Sequence, residues 1–162
     1  MSLLVDVIKQ PKKLGELSTK EWDQLIRFSR YAKVTASLHE QIEKLGVKSH
    51  VPQNALNFLE AEQVRSQFMQ LQATRELDEI EQSLGTTNYP IILLKGAAYL
   101  AGELPPASGR RLSDIDLMVP KKNLSEIENK LLEAGWTTKD DLSDYDQNYY
   151  RKWSHEIPPI HH

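Results

Sequence analysis

From Pro52 to Gly85 the chain carries no internal glycine or proline. The stretch VPQNALNFLEAEQVRSQFMQLQATRELDEIEQSLG opens with a proline, which suits a first helical turn, and meets its next helix breaker only at Gly85. Unbroken, it is a helix about 50 Å long at ~1.5 Å per residue. Leu56, Leu59, Val64, Phe68, Leu71, Leu77, Ile80 and Leu84 form an intermittent apolar stripe along it. The charge-rich remainder reads as a solvated face, with a partner surface as the alternative.

The residues before it read as helix too. STKEWDQLIRFSRYA begins with Ser18 and, three positions later, Glu21, the spacing of a capping box. Trp22, Leu25, Ile26, Ser29 and Ala32 then follow helical spacing. A second amphipathic stretch runs through Leu38, Ile42 and Leu45, and Gly46 is a natural stop.

After Pro90 the period changes. IILLK at 91–95 is short, apolar and partly β-branched, the pattern of a buried strand. GAAYLAGEL suits a short helix, PPASGRR a loop, DIDLMV a second strand, and KNLSEIENKLLEAG a helix ending at Gly135. WTTK and NYYRKWS are weaker strand candidates around the acidic loop DDLSDYD. The order β-α-β-α-β implies a small sheet with helices against it, behind a helical N-terminal region.

RRLSDIDLMVP is the stretch that carries chemistry. Strand side chains alternate faces, so Asp114 and Asp116 share one face while Ile115, Leu117 and Val119 share the other. Two carboxylates with Cα atoms roughly 6–7 Å apart on a strand repel each other. A cation between them makes the arrangement favourable, and Mg²⁺ suits it, taking one or two carboxylates with phosphate oxygens and water. The plainer alternative is the solvent face of an edge strand, paired with Arg110 and Arg111.

Three neighbouring features favour the metal. In LLKGAA a strand runs into Gly96 and a helix starts there, whose first amides suit phosphate. Ser113 directly precedes Asp114. Arg110 and Arg111 lie in a glycine-containing loop beside the acids, placed either to bind an anionic substrate or to neutralise the carboxylates. One of the two is expected to pair with an aspartate when no nucleotide is bound. Gly102 is followed by Glu103, so this is no Walker A loop, and it is no dinucleotide fingerprint.

Strand, glycine, short helix, loop and then SDIDLMV resembles the signature of the DNA polymerase beta-type nucleotidyltransferase superfamily. More narrowly, ILLKGAAYLAG, GRRLSDIDLMV and EAGW resemble its uncharacterised bacterial nucleotidyltransferase family, over roughly residues 91 to 136. The resemblance implies an α+β fold: a small mixed β-sheet nucleotidyltransferase core flanked by helices, spanning 89–162, behind an N-terminal helical region at 1–88. It implies that Asp114 and Asp116 are catalytic and hold Mg²⁺, or Mn²⁺ in its place. It sets the nucleotide against Lys95, Gly96, Ala97, Arg110, Arg111 and Ser113. The expected reaction is transfer of a nucleoside monophosphate from an NTP to an acceptor, which needs positioning and charge neutralisation more than a strong nucleophile.

Two departures stand out. Many members have serine after the motif glycine, where this chain has Ala97, so only the backbone amide is on offer. The superfamily also places a third carboxylate on a later strand, and no D-x-H or similar motif follows here. Asp140, Asp141, Asp144 and Asp146 all fall in the acidic loop. The expectation is therefore a core that is incomplete at its C-terminal end, with an open sheet edge beside the two aspartates.

Composition narrows the partners. With 40% hydrophobic and 27% charged residues the chain has an ordinary globular make-up. It has no cysteine, which excludes disulfides and thiolate metal sites and agrees with the expected cytoplasmic location. No apolar run reaches membrane-span length. A net charge of −3 disfavours a long nucleic acid as partner, leaving a small molecule, a protein side chain or an RNA end as acceptor. Two other functions remain open: a non-catalytic nucleotide- or partner-binding module that keeps the fold, and a scaffold whose long helix pairs with another chain. The histidines at 39, 50 and 155 read as structural, and His161 and His162 as native chain or the remnant of an affinity tag.

Overall fold

The computed structural model describes residues 3–138, 143–154 and 156–161. Asp140, Asp141, His155 and His162, all weighed above, lie outside the described residues. The chain divides into two compact units: Met1–Thr74 with Leu94–Asp116, and Arg75–Leu93 with Leu117–His162.

The first unit is helical. Helices α1 (Leu3–Lys9), α2 (Thr19–Tyr31) and α3 (Thr35–Leu45) pack in succession, and the first part of α4 (Gln53–Leu84) completes their core. Helix α2 starts where the capping box places it. The Ser18 N–H donates to Glu21 Oε2 at 2.9 Å, and the Glu21 N–H donates to Ser18 Oγ at 3.4 Å. Hydrogen bonds from Ser18, the side-chain one foremost, hold the Glu21 carboxyl below its ordinary value. Gly46 ends α3 in the left-handed conformation. One face of each helix then meets its neighbours: Leu4 and Val7 from α1, Trp22 and Leu25 from α2, Leu38 and Ile42 from α3, Leu56 and Leu59 from α4. Leu25, Ile42 and Leu59 are fully buried. Burial of a side chain of this size contributes roughly 1.5–3 kcal/mol. The short helix α5 (Lys95–Ala101) and the loop after it finish the unit.

The second unit holds the end of α4, helices α6 (Leu124–Glu133) and α7 (Asp144–Tyr149), and two small ladders. Strand β1 (Ile92–Leu93) pairs antiparallel with β2 (Leu117–Met118), and β3 (Thr137–Thr138) pairs antiparallel with β4 (Ile160–His161). Ile80 and Leu84 of α4 are buried, as are Ile127 and Leu131 of α6 and Trp136. Lys130 Nζ donates to the Leu84 carbonyl at 3.2 Å, satisfying one of the last acceptors of α4. The Trp136 indole N–H donates to Ser83 Oγ at 3.3 Å.

The architecture is α+β, dominated by helix. Its strands differ from expectation: among the described residues they form two separate two-stranded ladders in place of one mixed sheet. NYYRKWS is helical, not extended: α7 runs into a π-helical turn at Tyr150–Ser154. Ser143 and Asp146 form a second capping box that starts this helix, so Asp144 and Asp146 lie in its first turn and not in a loop. Arg151 then grips Glu128 of α6 through two hydrogen bonds of 2.8 and 2.6 Å. That bidentate pair outweighs the strand preference of three aromatic residues. No described helix is long and apolar enough to cross a membrane.

Candidate active site

Lys95, Gly96, Ala97, Arg110, Arg111, Ser113, Asp114 and Asp116 all lie within the first unit, and their geometry starts at Leu94. Its N–H donates to the Asp116 carbonyl at 2.9 Å, which ties the approach to α5 directly to the second aspartate. The next residue, Lys95, has φ 49°, the left-handed region that costs a non-glycine residue roughly 1–3 kcal/mol. Its ammonium donates to Asp116 Oδ1 at 3.1 Å. A strained lysine and a half-buried carboxylate therefore meet where the chain enters the helix.

Asp114 is exposed and accepts a hydrogen bond from Ser113 Oγ at 2.8 Å, which restrains one of its oxygens. The regular ladder covers only Leu117 and Met118, shorter than the strand expected over DIDLMV. Asp116 keeps one main-chain hydrogen bond beyond the ladder, and Asp114 lies before it in irregular backbone.

Gly96 is buried, and its lack of a side chain has a packing cause. A Cβ there would stand 2.2 Å from Leu112 Cδ2 and 3.3 Å from Arg110 Nε. Leu112 fills the space, locking the loop that carries the acids against α5. Ala97 is buried beside it. The N-cap residue Leu94 offers no side-chain cap to the start of α5.

The arginines depart from expectation. Among the described residues neither pairs with an aspartate: Lys95 takes Asp116, Arg111 lies 3.7 Å from Glu62, and the Arg110 guanidinium sits over the Tyr99 ring at 5.6 Å. The loop's position is set by residues that gave no local signal. Ser66 Oγ donates to the Arg110 carbonyl at 3.2 Å, and Gln70 Nε2 donates to the Ala107 carbonyl at 2.7 Å. Ser108 bonds to Glu40. Gly109, at φ 67°, passes so close to α3 that a Cβ would stand 2.4 Å from the Ser37 nitrogen. These partners are separated by dozens of residues in the chain, which is why a reading of local pattern misses them.

A family profile described as an uncharacterised nucleotidyltransferase matches residues 18–159. The chain belongs to this family. No curated protein and no solved structure matches it. The match takes in the helices from α2 onward, so in this nucleotidyltransferase family the helical half belongs with the motif-bearing half.

Among the described residues no group of three or more histidine, aspartate or glutamate side chains is placed to hold a metal ion. The donor set that does exist, Asp114 and Asp116, fits Mg²⁺ or Mn²⁺ as a pair of hard oxygen ligands completed by water and phosphate.

Proposed function

We propose that this chain transfers a nucleoside monophosphate from an NTP to an acceptor, with Asp114 and Asp116 holding Mg²⁺ or Mn²⁺ beside the start of α5. The observation that carries this reading is the junction of Leu94 and Lys95 with Asp116, which brings the start of α5 to a metal-type carboxylate. When bound, the metal neutralises phosphate charge and activates the attacking hydroxyl. The protein's own groups do the positioning. Lys95 balances Asp116 before nucleotide arrives; an exposed pair of this kind is worth only about 0–1 kcal/mol, so its ammonium exchanges readily onto a phosphate. Ser113 steadies Asp114. The Gly96 and Ala97 amides face the same task as donors to phosphate oxygen. In the transfer a bond forms from the acceptor oxygen to the α-phosphorus, the bond from that phosphorus to the bridging oxygen breaks, and pyrophosphate leaves.

A second reading, nucleotide binding without transfer, draws support from the lack of a third acidic ligand among the described residues. Incubation with Mg²⁺ and an NTP labelled at its γ-phosphate separates the two. Pyrophosphate release by the parent and none by Asp116→Asn supports transfer. Magnesium-dependent nucleotide binding with no pyrophosphate released supports the binding module.

A further inference from the structure

Positive charge gathers around a cavity of about 440 Å³ in the first unit. Five cations line it: Arg27 and Arg30 from α2, Lys33 from the turn after it, Arg65 from α4, and Arg111 from the loop before the aspartates. They face one carboxylate, Glu62. This happens in a chain whose net charge is −3.

The end of α2 accounts for part of the cluster, since cations favour a helix C-terminus. It does not account for Arg65 or Arg111, which come from other elements. Local pairing cancels only part of this charge. Arg27 is paired with Asp23 on the exposed side of α2, and Arg111 is only 3.7 Å from Glu62. Among the described residues neither Arg65 nor Lys33 has an ion pair. Thr35, at the start of the eleven-residue helix α3, also lines the cavity, and no side chain caps that helix. Uncancelled like charges raise the energy of the empty cavity, and an anion removes that cost.

We infer that this cavity binds a phosphate group of a small phosphorylated molecule, and that this molecule is the acceptor of the transfer proposed above, on which the acceptor role rests. Guanidinium forks match phosphate oxygens in a bidentate geometry, and four of the five cations are arginines. The volume falls within the roughly 300–1,000 Å³ of small-molecule sites and exceeds what a lone phosphate fills. Arg111 joins the cavity to the acids: Asp114 is three residues further on, so their Cα atoms lie within about 11 Å at ~3.6 Å per residue. A phosphorylated acceptor held there by its phosphate has its hydroxyl within reach of the aspartates.

The test titrates inorganic tripolyphosphate into the full chain by calorimetry in the presence of EDTA. Binding is expected without metal, and weakened about tenfold or more in Arg65→Gln and in Lys33→Gln. Circular dichroism melting checks that each variant is folded. No binding to the parent at millimolar concentration, or equal binding by both cavity variants, overturns the site. Tighter binding of a short RNA than of tripolyphosphate overturns the small-molecule assignment. Titration of an NTP with Mg²⁺ into Arg65→Gln tests the acceptor role: affinity equal to the parent supports it, and a parallel loss makes the cavity a seat for the nucleotide's own phosphates. A parent that binds tripolyphosphate and fails to bind NTP with Mg²⁺ removes the transferase reading and leaves the anion site standing.

Discussion

Asp116 gathers more of the site than any other residue, with Leu94 on its carbonyl and Lys95 on its carboxylate. Asp114 and Asp116 stand out in the sequence by alternating with Ile115 and Leu117, yet the strand begins only at Leu117, so the alternation does not set the two acids on a strand. Their setting was not legible, because Leu112, Ser66 and Gln70 act over long separations. Gly96 shows the difference. As a strand-ending glycine before a helix it reads as a phosphate-loop residue, and in the folded chain it is also the space that Leu112 occupies. Gly96→Ala therefore forces Leu112 to move, at a cost of about 1–3 kcal/mol for overpacking. In urea unfolding, Gly96→Ala combined with Leu112→Ala should cost less than the sum of the two single changes. Strict additivity would show that the contact is not the reason for the glycine.

Among the elements, helices were easier to read than strands. Ser18 with Glu21, Pro52 and Gly85 delimit α2 and α4 to within a residue or two of their ends, since caps and breakers act over one turn. The strands keep only two ladder residues each, too few for alternation to define their limits. Tyr149, Tyr150 and Trp153 suggested a strand, yet the Ser143 cap and the Arg151–Glu128 pair make the segment helical. The α2 cap also gives a pH test. Glu21 titrates below its ordinary value of 4.5 in the folded chain, so its contribution is fully present above that pH. It is lost as pH falls through the lowered folded value. Replacing Ser18 with Ala should cost about 1 kcal/mol at neutral pH. Thermal melts of Glu21→Gln between neutral and acid pH should show a smaller acid-induced loss than the parent. An identical loss would remove the cap from the acid response.

At the scale of the whole molecule, an acidic chain carries a strongly basic cavity and a pair of aspartates in the same unit, three residues apart along the loop. Net charge indicated only that a long polyanion is a poor partner. It could not reveal Arg27, Arg30, Lys33, Arg65 and Arg111 in one cavity, since tertiary packing alone brings those positions together. That the chain is α+β and mostly helical was readable from periodicity, and the family match over residues 18–159 takes in both the helical and the motif-bearing stretches. The central claim is that Asp114 and Asp116 hold a metal with a nucleotide. Its most direct test is calorimetric titration of a non-hydrolysable NTP into the parent and into Asp116→Asn, with and without Mg²⁺. The predicted result is binding by the parent that requires Mg²⁺ and is lost in Asp116→Asn, while the melting temperature changes little. Metal-independent binding by the parent, or full affinity in Asp116→Asn, would contradict it.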